Sequence, residues 1–181
     1  MARITIDETL VIDSPLMSDN WELILTGIPT GFGNRVAREA LRIRCKTISM
    51  PGLTNEPQEL PLHGYKLNFA GRTTFPGTLG ITYNESNALE IYSSMLGWVQ
   101  AARDYRTQLS GGKNQLPGGY LAMSALLNVY NEIDGATPVK IITFKNFWCT
   151  DVSDTALDNS SAAFVDVSAN FRYDYFEVER I

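Results

Sequence analysis

Val165-Asp166-Val167-Ser168-Ala169-Asn170-Phe171-Arg172-Tyr173-Asp174-Tyr175 is the stretch whose reading decides the fold. Its apolar residues, Val165, Val167, Ala169, Phe171, Tyr173 and Tyr175, alternate with Asp166, Ser168, Asn170, Arg172 and Asp174. Period two with one apolar and one polar face is the pattern of a half-buried β-strand. The alternation recurs upstream. Tyr120 to Glu132 sets Leu121, Met123, Ala125, Leu127 and Val129 on one face, and Val139 to Trp148 follows after Asp134-Gly135. Asp-Gly favours the positive φ angles of hairpin turns, so these two segments are expected to pair antiparallel. Earlier still, Trp21 to Ile28, Ala40 to Ser49, Tyr65 to Ala70 and Thr78 to Tyr83 read as strands, the second with Leu41, Ile43 and Cys45 set against Arg42, Arg44 and Lys46. Pro76 and the glycines of Gly71 to Gly77 punctuate a turn between the last two.

One segment departs from period two. From Asn87 to about Arg106, Ala88, Ile91, Tyr92, Met95, Trp98, Val99 and Ala102 recur at three- and four-residue steps, which gathers them on one face of an α-helix. Asn87 is placed to cap its start, with Glu90 three residues on. Ile91, Tyr92, Met95, Trp98 and Val99 are the residues expected to pack this helix onto the sheets. The expected architecture is mainly β, an antiparallel barrel or sandwich with one flanking helix. Two long loops are expected as well, Met50 to Pro61 with its three prolines and Gln108 to Gly119 with its clustered glycines.

Composition narrows the function. The chain has 181 residues, with 15 Lys plus Arg against 20 Asp plus Glu and a net charge of −5. A domain of this size removes about 70% of its unfolded-state surface from water and needs no disulfide or metal to fold. The acidic balance lacks the clustered cations that grip nucleic acid by releasing counterions. Cys45 and Cys149 are the only cysteines and are far apart, so neither a disulfide framework nor a zinc site is suggested. Acidic residues interrupt the N-terminus before a signal-length apolar run forms, and no stretch reaches the roughly 20 apolar residues of a membrane helix. A soluble protein with no membrane-spanning segment is expected.

Catalytic patterns fail one by one. Gly112-Lys113 is followed by Asn114, and Thr107 stands where the first glycine of a phosphate loop belongs. Gly27, Gly31 and Gly33 lack dinucleotide-fingerprint spacing. His63, the one histidine, follows Pro61 closely with no serine or cysteine near it, and there is no nucleophile elbow. Glu177 with Glu179, and Asp151 with Asp154, sit on short polar segments that read as solvated faces, whereas acid/base work needs one carboxyl desolvated. No enzyme, cofactor or metal is expected.

Three runs point elsewhere. They are Arg44-Cys45-Lys46-Thr47-Ile48-Ser49-Met50-Pro51-Gly52, then Leu67-Asn68-Phe69-Ala70-Gly71-Arg72-Thr73-Thr74-Phe75, then Phe144-Lys145-Asn146-Phe147-Trp148-Cys149-Thr150-Asp151-Val152, with a helix carrying Trp98 between the last two and Phe171 to Phe176 closing the chain. In this order the chain resembles the tail tube proteins of contractile-tailed bacteriophages, a family related to the tubes of type VI secretion and other contractile injection systems. The resemblance implies a single tube-like β domain over residues 21–181 after an N-terminal extension of residues 1–20. It implies homo-hexameric rings that stack into a hollow virion tube assembled in the host cytoplasm. The implied partners are tail sheath protein, baseplate and tail terminator proteins, and a tape measure protein in the lumen, with DNA passing through unbound. A baseplate tube initiator and an injection-system tube subunit are the nearest alternatives, and a small-ligand-binding β-barrel is the alternative from another class.

For a tube, Pro51, Leu53, Pro57, Leu60 and Pro61 of the proline-rich loop are the expected inter-ring contacts, because proline orders at low entropic cost. Asp166, Ser168 and Asn170 are the expected lumen-facing side chains.

Overall fold

The alternating stretch Val165 to Tyr175 holds one strand and the start of another, and they belong to different sheets. The computed structural model describes residues 18–29, 38–115, 118–131, 137–155, 157, 160 and 163–180. The first sheet runs in the order β1 (Trp21–Thr26), β6 (Ser124–Tyr130), β7 (Pro138–Lys145) and β10 (Tyr175–Arg180). The second runs β2 (Cys45–Ile48), β5 (Thr78–Asn84), β9 (Asp166–Arg172) and β8 (Trp148–Val152). All pairs are antiparallel. A third, separate sheet consists of β3 (Thr54–Leu62) and β4 (Tyr65–Thr74) alone.

Two successive strand pairs pass from one sheet to the other at a common corner. β7 leads into β8 through Asn146-Phe147, and β9 into β10 through Tyr173-Asp174. Asn146 holds the left-handed φ of 54° that this turn requires, a conformation asparagine tolerates better than most residues. Its side-chain amide donates to Asp174 at 2.6 Å, Lys113 donates to the same carboxylate at 3.1 Å, and the Asp174 N–H donates to the Lys145 carbonyl at 3.0 Å. The sheet change also inverts the pattern: Val167, Ala169, Phe171 and Tyr173 point inward, but beyond the corner Phe176 packs on the core while Tyr175 is exposed.

Aromatic side chains fill the space between the sheets. Trp98 meets Phe147 and Phe171 edge-on at 6.2 and 5.7 Å, and Phe147 stacks on Phe171 at 4.8 Å. The Trp98 indole N–H donates to the Tyr120 carbonyl at 2.7 Å, which satisfies its polar edge inside the core.

The expected helix is present as α2 (Glu90–Ala102), and it delivers Ile91, Met95 and Trp98 fully buried, with Val99 packed at the margin and Tyr92 half-buried. Its cap differs from the expected one. Leu89 occupies the cap position with no side-chain bond, and Glu85 serves instead, accepting N–H groups from Ile91 at 3.0 Å and Tyr92 at 2.7 Å. A carboxylate at a helix start meets both the orphan donors and the positive end of the dipole. Asn87 is exposed.

Further expectations need correction. Ala40 to Ser49 is not one strand: Arg38–Arg44 forms a second helix, α1, and β2 begins at Cys45. Arg, Glu, Ala and Leu favour helix, and the winding buries Leu41 while leaving Ile43 74% exposed, so these two do not share a face. Arg42 then reaches Glu22 at 3.3 Å, and Arg44 donates to the Glu85 carbonyl at 2.9 Å. Met50 to Pro61 is not a loop throughout, because residues 54–61 lie in β3. The N-terminal extension over residues 1–20 falls almost wholly outside the described residues, as do Asp134-Gly135 and Glu132.

Two carboxylates tie these parts to pH. Burial raises the Glu22 pKa, but hydrogen bonds from Tyr130 and Asn128 and the charge of Arg42 outweigh it, and the net shift is downward. Asn146 and Lys113 hold Asp174 below the ordinary carboxylate range. A depressed folded-state pKa gives stability that is present above the unfolded pKa and lost as pH falls through the folded one. Urea titrations should therefore show stability falling below about pH 4, with Asp174→Asn less stable at pH 7 and shallower in its acid limb. Glu85→Ala should cost about 1–2 kcal/mol in the same assay, the usual loss for a helix cap.

Candidate assembly surface

β3 and β4 form a two-residue hairpin whose tip is His63-Gly64, with φ values of 43° and 87°. Positive φ at both positions is the mark of the tight turn that suits strand twist, and glycine supplies the second without strain. At about 3.3 Å per residue, strands of 9 and 10 residues make an arm roughly 30 Å long. Every residue of the arm is exposed except Gly71 and Thr74, which are half-buried. Near the base the register slips between Asn55 and Pro57. Gly71 stands at that slip, where an added Cβ would collide with the Glu56 carbonyl.

The pairing sorts the arm into two faces. Leu62 opposes Tyr65, Leu60 opposes Leu67 and Gln58 opposes Phe69, so five large apolar side chains share one side. They are 45–78% exposed. Pro57, Glu59, Pro61, Lys66, Asn68 and Ala70 share the other side, with Glu59 and Lys66 paired at 2.9 Å. Proline is tolerated in β3 because the strand pairs on one side only.

Of the residues expected at ring contacts, Pro57, Leu60 and Pro61 are thus on the arm, Leu60 on its apolar face and the prolines on its polar one. Pro51 and Leu53 precede it, Pro51 half-buried and Leu53 65% exposed. Leu62, Tyr65, Leu67 and Phe69 were missed as partners of Leu60. The signal was present in the alternation of Tyr65, Leu67 and Phe69 directly after His63-Gly64.

The arm springs from the sheet-switching corner. Phe75, just past the end of β4, stacks on Tyr173 at 5.8 Å and meets Phe176 edge-on at 6.1 Å. Tyr173 in turn packs on Phe144 at 5.1 Å.

The residues expected at a lumen lie on the outward side of the second sheet, and each has a neighbour there. Asp166 pairs with Lys46 at 2.5 Å, Ser168 shares a hydrogen bond with Thr82 at 3.2 Å, and the Asn170 amide donates to Asp151 at 3.1 Å. Gly80, Thr82 and Asn84 are their cross-strand partners on β5, and Thr78 opposes Arg172, so this face is polar with mostly small side chains. The first sheet instead carries Ile24, Leu126 and Ile141 among its outward positions, all half-buried.

Burial pushes the thiols of both Cys45 and Cys149 up to about 12, which keeps them protonated near neutral pH. No group of three or more potential metal ligands and no helix long and apolar enough to cross a membrane occurs among the described residues.

No protein-family model matches the sequence, and no curated protein is significantly similar to it. Solved structures are similar in fold. A protein of the six-fold symmetrised anti-feeding prophage baseplate matches with a TM-score of 0.61 at 17% identity, over 93% of this chain and 98% of its own. A protein of the PVC sheath–tube complex, an extracellular contractile injection system in its extended state, matches with a TM-score of 0.60 at 10% identity, over 98% and 99%. This is the tube fold of contractile systems. A protein of the cap that terminates the anti-feeding prophage tube shares it, with a TM-score of 0.60 at 12% identity over 94% and 95%. In this chain the tube fold combines two four-stranded sheets, a helix carrying Trp98 and a free-standing arm.

Because the apolar face of the arm touches so little of its own chain, charging it should leave the subunit intact. Leu60→Glu is expected to unfold within about 0.5 kcal/mol of the parent in a urea titration, the usual range for surface positions.

Proposed function

We propose that this chain is the repeating subunit of the inner tube of a contractile tail, closing into six-membered rings that stack head to tail around a channel for the genome. The observation that carries the reading is the arm. A lone two-stranded hairpin is marginally stable in water, and this one holds five large apolar side chains on a face that its own chain leaves open. Such a face calls for a partner, and the proteins sharing the fold belong to a tube complex, a tube cap and a baseplate.

Magnitudes explain why rings come before tubes. Burying the five side chains from their half-exposed state is worth roughly 4–7 kcal/mol, while association costs about 4–15 kcal/mol in lost rigid-body freedom. One arm therefore barely holds two free subunits. Between stacked rings all the arms engage while that cost is incurred once, so stacking becomes favourable only after closure.

Closure needs open strand edges. α1 packs against β1 and α2 against β8, whereas β2 and β10 pair on one side only and have no helix packed on them to a comparable extent among the described residues. Edge pairing between copies turns an aggregation hazard into a closed ring. The polar face of Asp166, Ser168 and Asn170 suits the channel wall. On it the charge of Lys46 is met by Asp166, and Arg172 is exposed on the same side of β9.

The anti-feeding prophage baseplate protein supports a second reading, a tube initiator fixed at low copy in the baseplate. Gel densitometry of the particle separates the two, since a tube subunit is among its most abundant proteins. Sheath, terminator and tape measure proteins are the partners that either role entails. Negative-stain microscopy of concentrated purified protein should show six-fold rings or tubes. A strictly monomeric species at every concentration and salt would overturn the proposal.

A further inference from the structure

The arm and an open cavity lie at opposite ends of the sandwich. β5 sets the scale: it begins at Thr78, beside the corner from which the arm springs, and ends at Asn84, opposite Asp166. Seven residues in extended form place these ends about 20 Å apart. At the Asn84 end, Leu89, Tyr92, Asp154, Thr155, Leu157 and Val167 line a cavity of about 420 Å³. Its rim is apolar and open, with Leu89 46% and Leu157 73% exposed.

We propose that this cavity is the socket for the arm of the next copy, with Tyr65 as the entering side chain. The inference rests on the assembly reading above and names the surface that receives the arm.

Three observations converge on it. Head-to-tail stacking is a heterologous contact, which needs two different surfaces at opposite ends of the subunit so that each copy both gives and receives. The arm and the cavity stand at such ends. The chemistry also matches. A pocket with leucine and valine walls and Asp154 among its lining residues fits an aromatic ring that ends in an O–H. Tyr65 is that residue on the arm: it follows the tip directly, is 78% exposed, and is flanked on its face by Leu62 and Leu67 to meet Leu89 and Leu157 at the rim. Reach is sufficient, since an arm of roughly 30 Å exceeds the length of β5.

Disulfide trapping tests the assignment. Leu62→Cys with Leu157→Cys in one chain, assembled and then mildly oxidised, should give a ladder of covalent multimers on a non-reducing gel, with Tyr65 left in place to dock. The yield should be at least about tenfold above either single variant, because docking raises the local thiol concentration. Cys45 and Cys149 do not compete, being held protonated by burial. A mixture of the two single variants should give dimers and no ladder, since each copy then offers one thiol. Leu67→Cys with Leu89→Cys is a second pair with the same expected ladder. If assembled particles form but neither pair cross-links above the single variants, the cavity is not the socket, although self-assembly stands. A small molecule filling the cavity in assembled particles would likewise overturn the assignment. Failure of the unmodified protein to assemble at all would remove the assembly reading together with it.

Discussion

Everything in the subunit hangs on the corner at which β7–β8 and β9–β10 change sheets together. Two chain segments must turn side by side there, and Asn146, Asp174 and Lys113 fasten the turn from outside. Inside it, Phe144, Phe147, Phe171 and Tyr173 form a continuous aromatic stack that Trp98 closes from the helix. Close packing of this kind tolerates little displacement. Phe75 joins the same stack, so the base of the arm is fixed by the core although the arm itself is not.

That division of labour separates folding from assembly. The core residues are spent on holding two sheets at a set angle, and the arm adds almost nothing to them. Its five apolar side chains are surplus within the monomer, and they gain meaning only against another copy. In the proposed assembly one arm is too weak to hold a pair and a ring of arms is strong, which would order closure before stacking. The proposed socket at the opposite end would give that stacking a direction, because giving and receiving surfaces differ.

Much of this was legible in the chain. The alternation of Val167, Ala169 and Phe171 and the three-to-four spacing of Ile91, Met95 and Trp98 gave strands and helix correctly, because burial on one face leaves a periodic trace. The pairing of Tyr120–Glu132 with Val139–Trp148 was likewise recoverable in outline as β6 with β7. What escaped detection had a physical cause in each case. The sheet change at Tyr173-Asp174 keeps the alternation running while reversing its meaning, so no period reveals it. Leu41 and Ile43 mimicked a strand in a stretch too short for helical spacing to show. The arm hid behind Pro57 and Pro61, which argue against a strand unless it stands at an edge. Glu85 was overlooked as a cap because it lies outside the usual cap position and reaches forward to Ile91 and Tyr92.

The central claim is that the exposed arm is covered only by other copies. Hydrogen–deuterium exchange over residues 54–74, compared between assembled and dispersed protein, addresses it most directly, because docking must shield the arm amides from solvent-driven opening. Strong protection in the assembled state that disappears on dispersal is the predicted result. Equally fast exchange in both states would contradict the account.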